Sequence, residues 1–233
     1  VGIISLSSNT TGACNTAVGF SALKTNTTGG TNAAFGYQAL NANTTAGCNT
    51  AVGYRALCAN TTGSCNTSIG RDSLLATSTG ACNTAIGKTS GSIMATGDNN
   101  TFLGYDAQPT SSSVSHQITL GNSNNNNLRC ADTSISSLSD LRDKTNVEDI
   151  PHGLAYILAL RPVKFDWNAR DGSRVGKKDY GFIAQELDQV EETFGNKEYT
   201  RLVNKENPEA WEADPMKTYP ILIKAIQELS EIN

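Results

Sequence analysis

The chain has 233 residues, enough for one large domain or two modest ones. A net charge of −4 and a pI near 5.2 argue against a nucleic-acid or anionic-membrane partner. No apolar run approaches the roughly 18 residues needed to span a bilayer, so no membrane insertion is expected.

The opening residues Val1-Gly2 read as the end of a repeat, which predicts a fragment whose true N-terminus lies upstream, and no signal peptide is read. From there a glycine recurs every seventeen residues, from Gly2, Gly19 and Gly36 to Gly104 and Gly121. An asparagine keeps the same register from Asn15 to Asn100. The consensus is N-T-A-V-G-Y-x-A-L-x-x-N-T-T-G-x-C. Thr-Ala-Val-Gly-Tyr is a short β-prone run, and the apolar residue before each glycine (Val18, Phe35, Val52, Ile69, Ile86, Leu103, Leu120) is predicted to be buried. Asn-Thr-Thr-Gly is turn chemistry. One unit of seventeen residues cannot bury its own apolar face, so successive units must stack as a β-solenoid or β-roll. Identical residues then form ladders, with asparagines pairing their amides and the Val/Ile/Leu row making the core.

Cys14, Cys48, Cys65 and Cys82 share one register position, while Cys58 and Cys130 stand elsewhere. A disulfide ladder or a metal stripe is weighed against a small half-buried apolar residue. The last is preferred, because there is no Cys-x-x-Cys spacing and only two histidines exist. No metal site and no cofactor are expected. The Asn-Thr-Thr sequons at Asn9, Asn26, Asn43 and Asn60 are read as turns and not glycan sites. His116 and His152 are expected at the surface, the former in a linker. The repeat half resembles the head repeats of trimeric autotransporter adhesins and the N-T-A-x-G-Y-x-A-L repeats of phage tail fibres, although its period of seventeen is longer than is typical of the adhesin heads.

Composition changes abruptly near Ser139. Residues 1–138 hold five Lys/Arg, four Asp and no Glu, a net +1. Residues 139–233 hold thirteen Lys/Arg, eighteen Asp/Glu and both tryptophans, a net −5. Such a step marks a boundary, giving a repeat solenoid over 1–121, a polar linker over 122–138 and a separate domain over 139–233. In that last domain Pro151–Leu160 reads as a helix with Leu154, Ile157 and Leu158 on one face. Val163, Phe165 and Trp167 alternate as in a half-buried strand. Phe182 opens a helix toward Val190, with Leu187 and Val190 inward. Leu222, Ala225, Leu229 and Ile232 are spaced as a short coiled-coil seam.

At the boundary stand Leu138, Ser139, Asp140, Leu141, Arg142, Asp143 and Lys144. A serine hydroxyl becomes a nucleophile when a neutral amine removes its proton. A spacing of five is weak by itself, and a solvated helix start capped by Ser139 or Asp140 fits it too. The context decides. Ser-Asp-x-Arg-x-Lys, Leu160–Trp167, Tyr180–Leu187 and Leu222–Leu229 together resemble the peptidase S74 or intramolecular chaperone domain of phage endosialidases, neck appendages and tail fibres. A related domain occurs in the myelin regulatory factor. The resemblance implies a small α+β, mainly helical trimerisation domain, with Ser139 as nucleophile, Lys144 as general base, and Leu138, Asp140 and Arg142 beside the cut. It further implies a homotrimeric virion fibre, made in the host cytoplasm, that meets a host surface receptor. Two rivals are a fibre tip that trimerises without cutting, and a carbohydrate-cleaving tailspike. The second lacks paired carboxylates within residues 1–138, where only Asp72 and Asp98 lie centrally in repeats.

Overall fold

The computed structural model describes residues 1–125, 128–129, 139–170, 172, 174–195, 197–209 and 211–232. Cys130, Leu138 and most of the predicted linker therefore lie outside the described residues. The chain forms two compact units, 1–126 and 127–233.

The first unit is a β-solenoid of about six turns. Seven three-residue strands, β1 (Thr16–Val18), β2 (Ala33–Phe35), β3 (Thr50–Val52), β4 (Thr67–Ile69), β5 (Thr84–Ile86), β6 (Thr101–Leu103) and β7 (Ile118–Leu120), form one parallel sheet in chain order. Each residue pairs with the one seventeen further on, as in Ala17 with Ala34 and Ala34 with Ala51. Glycine is required at the strand ends. Gly36 has φ +139°, and a Cβ there would lie 2.3 Å from the carbonyl oxygen of Gly53.

The interior differs from the expected Val/Ile/Leu core. Strand centres face inward, so Ala17, Ala34, Ala51, Ser68, Ala85 and Phe102 are buried. The residues before the glycines face outward and stay 37–53% exposed. Alternation decides this, since neighbours in a strand take opposite faces, and the interior is already filled by Leu23, Leu40, Leu57 and Leu74. Those leucines lie in the left-handed region, at φ between 46° and 52°. Such a backbone costs on the order of 1–2 kcal/mol, while burying a leucine contributes roughly 1.5–3 kcal/mol. Burial therefore prevails at each corner.

Both asparagine rows form ladders. The Oδ1 of Asn15, Asn32, Asn49, Asn66 and Asn83 each accepts the backbone N–H of the asparagine in the next rung, at 2.9–3.0 Å. In the second row, Asn26, Asn43 and Asn60 donate both to the preceding asparagine and to a carbonyl in their own turn. These three sequon asparagines are fully buried, which fits turn residues and leaves no access for a glycan. The row ends at Thr77, so the Asn60 Oδ1 is buried without a hydrogen bond. The leucine row ends at Gly91, and the Phe102 ring fills the vacated space: a Cβ on Gly91 would sit 2.7 Å from it. Cys14, Cys48, Cys65 and Cys82 hold exposed free thiols at a left-handed corner. His116 occupies that same corner of the last rung, with φ 63°, and is not in a linker.

The second unit contains α1 (Leu154–Ala159), β8 (Val163–Asp166), β9 (Lys178–Gly181), α2 (Ala184–Phe194), α3 (Lys197–Thr200), β10 (Val203–Asn204), β11 (Glu212–Ala213) and α4 (Tyr219–Ile232). β8 pairs antiparallel with β9, and β10 with β11. Its core is Tyr156, Leu187, Leu202 and Ile221, with Ile150, Ile157, Phe182 and Phe194 around them. α1 is shorter than Pro151–Leu160. It starts after Gly153, where the α4 backbone approaches so closely that a Cβ would meet Ala225 N at 2.6 Å. The side chain of Glu228 then caps the start of α1, accepting from the N–H groups of Gly153 and Leu154 at 3.3 and 2.7 Å. Tyr156 takes the inward position, and Leu158, predicted on one face with Leu154 and Ile157, is exposed. The alternation of Val163 and Phe165 is as read. Leu187 is buried in α2, which begins at Ala184 and not at Phe182. Among the described residues no helix is long and apolar enough to cross a membrane.

Candidate functional site

Ser139 precedes a single 3-10 turn, Leu141–Asp143. Asp140 starts that turn by accepting the Arg142 N–H at 2.9 Å. The Arg142 guanidinium folds back on the same carboxylate, with contacts of 2.6–3.1 Å. Hydrogen bonding from Arg142 holds the Asp140 carboxyl below the usual range. The turn closes with the Lys144 N–H donating to the Leu141 carbonyl at 3.1 Å. This local fold brings the Lys144 ammonium to Ser139, where Nζ donates to Oγ at 2.8 Å and to the Ser139 carbonyl at 3.3 Å. The capping role read as the plain alternative for Asp140 is thus also present.

Ser139, Asp140, Arg142 and Lys144 are all exposed in the single chain. An amine acts as a base only when neutral, and removal from water is the ordinary way to favour that form. The Leu138 carbonyl, the nearest peptide bond within reach of the hydroxyl, lies outside the described residues.

Of the four seam residues, Leu222, Leu229 and Ile232 are on the exposed side of α4, together with Ile226. Ala225 is only 3% exposed and turns inward toward Gly153.

Two features escaped sequence reading. Arg161 and Glu186, from two separate motifs, pair through Nε and Oε2 at 3.0 Å. Hydrogen bonding from Arg161 lowers the Glu186 pKa. The fully buried Glu191 accepts the Leu202 N–H at 2.7 Å and the Thr200 hydroxyl. The partners lie 25 and 11 residues apart, and no local pattern marks either pair.

No curated protein and no solved structure matches the chain. The family model of peptidase S74, described as the chaperone of endosialidase, matches residues 139–196 and so begins on the serine of the Ser-Lys contact. Residues 139–196, a quarter of the chain, are thus a peptidase S74, chaperone-of-endosialidase segment, and the match does not extend to the β-solenoid that precedes them.

Proposed function

We propose that the chain is part of a viral tail-fibre or tailspike protein, whose second unit assembles three copies and then cuts itself free next to Ser139. Ser139 is the nucleophile and Lys144 the general base of a single autoproteolytic event without turnover. The 2.8 Å Ser139–Lys144 contact at the start of the family match carries this reading. Its logic is kinetic. Every rung resembles its neighbour, so three long solenoids have many slipped alignments, and a terminal clamp removes most of them. Cleavage then leaves a product that cannot retrace its path. The exposure of the pair in one chain fits a reaction that waits for assembly to exclude water. The assembled fibre would sit in the virion, after synthesis in the host cytoplasm, and meet a host surface receptor through its solenoid.

Intact mass after expression tests the chemistry. The unaltered chain is expected to split beside Ser139, while Ser139→Ala and Lys144→Ala remain full length and still assemble. Normal cleavage of Ser139→Ala would sink the assignment. A monomer produced by Leu229→Asp is expected to stay uncut, and efficient cutting in it would remove the coupling to assembly. The same exposure favours a second reading, a fibre tip that trimerises without cutting; an uncut chain in a verified trimer would select it.

A further inference from the structure

The outward face of the sheet carries an uncharged apolar row along its whole length. From Val18 to Leu120 one apolar side chain per rung stands 37–53% exposed. Seven rungs at about 4.8 Å make a straight ridge of roughly 29 Å. Two residues further along each rung runs a second row. There Phe20 stacks on Tyr37 at 5.4 Å and Tyr37 on Tyr54 at 5.1 Å between ring centroids. Arg71 continues the row, leaning over Tyr54, and Lys88 leans over Tyr105.

Taking roughly 150–250 Å² for each large side chain, the two rows leave on the order of 800 Å² of apolar surface uncovered. A monomer's largest patch is usually about 300–600 Å², and one side of a stable interface is about 800 Å². The area therefore suits a protein partner. Its form narrows the choice of partner: apart from the larger Phe35, the ridge repeats similar aliphatic side chains at the rung spacing. A covering surface must present apolar groups at that same spacing over the same length, and another copy of this solenoid does so by construction. With both copies parallel and level, each rung meets its own equivalent. Charge places the line of contact. Arg71 and Lys88 would meet like charges if the aromatic row lay at the centre, whereas the Val18–Leu120 row holds no ionisable group.

We infer that the Val18–Leu120 row is the surface along which copies of this chain pack side by side, parallel and in register, with the aromatic row at the rim of the contact. This rests on the homotrimer reading above and adds the surface and the alignment.

The test uses the full chain with Ser139→Ala, carrying photoreactive benzoylphenylalanine in place of Ile86, and in a parallel preparation in place of Thr96. Thr96 is exposed in a turn of the same rung. Light scattering gives the copy number, and mass spectrometry locates crosslinks after irradiation. The expected result is an oligomer in which position 86 gives a dominant chain-to-chain crosslink into residues 78–103 of another copy, with only background at 96. Crosslinks from 86 into residues 35–69 would overturn the parallel alignment. An oligomer that crosslinks from 96 and not from 86 would overturn this surface while leaving assembly standing. A monomer would overturn both the surface and the homotrimer reading.

Discussion

The two units are stabilised by different kinds of contact. In residues 1–126 the contacts recur from rung to rung, and the strand pairs and asparagine ladders join residues of the same register position seventeen apart, as alanine on alanine or asparagine on asparagine. In residues 127–233 the decisive partners are unlike and irregularly placed: Glu228 with the start of α1, Glu191 with Leu202, Arg161 with Glu186. A repeated contact spreads its stability over all rungs but transmits any misfit to the next one. A single contact is lost alone.

Glycine substitutions give the widest separation. Gly36→Ala places a Cβ 2.3 Å from the backbone of the next rung at φ +139°. A loss of about 4 kcal/mol or more is expected, read as collapse of the β-solenoid circular dichroism signal. Gly195→Ala at the end of α2 has φ +68° and nothing within 4 Å. It is expected to cost only about 1 kcal/mol. Equal losses would mean that the rung glycines are conformational and not steric.

The odd rung gives the next largest effect. Gly91→Leu restores the leucine row but collides with Phe102, and overpacking of this kind costs about 1–3 kcal/mol. Adding Phe102→Ala is expected to recover most of that loss in thermal melts, because the row then returns to its regular form. Additive losses in the double variant would show that Phe102 does not compensate for Gly91.

Acid separates the units more gently. Burial opposes ionisation of Asp188, but hydrogen bonds and ion pairs from Lys197 and Lys205 prevail and hold its pKa below the ordinary value. A lowered folded pKa contributes stability above the unfolded value of about 3.9 that is lost as pH falls through the folded one. Tryptophan fluorescence reports this unit alone, since both tryptophans lie there. Its melting temperature is expected to fall a few degrees below about pH 4, and less so in Asp188→Asn. The solenoid, with no glutamate and few aspartates, should barely respond. An identical acid response in Asp188→Asn would remove this residue from the account.

The smallest effect is a gain. Thr77→Asn supplies a donor for the orphaned Asn60 Oδ1 and replaces the Thr77 hydroxyl bond to the Met94 carbonyl. A net stabilisation of about 0.5–1.5 kcal/mol is expected in chemical denaturation, and a loss would mean that the ladder stops at Asn60 for a steric reason.

The difference between the units also explains what sequence could convey. Period, strand positions and asparagine ladders were readable because one rule, the same register position in the next rung, names each strand and ladder partner. The facing of Thr-Ala-Val was misread because valine outranks alanine in hydrophobicity. The interior, crowded by Leu23 and its equivalents, admits only the smaller residue. In the second unit the helix after Pro151 was overdrawn, since its start is set by Gly153 meeting α4, 72 residues away in the chain. Ser139 and Lys144 were found through motif resemblance, and the turn that joins them depends on Asp140 and Arg142, which that motif already contains.

The strict register of the solenoid also bears on how its length changes through evolution. A rung contacts only the rung before and the rung after, with the same residues on both sides. Unequal recombination within the coding sequence between Gly36 and Gly70 can add or delete one complete unit, and the new junction has the same hydrogen bonds as the old. Reach then varies in steps of about 4.8 Å, with the irregular end at Gly91 and Phe102 left untouched. Adaptation of reach requires no new contact to be invented, only the copying of an existing one.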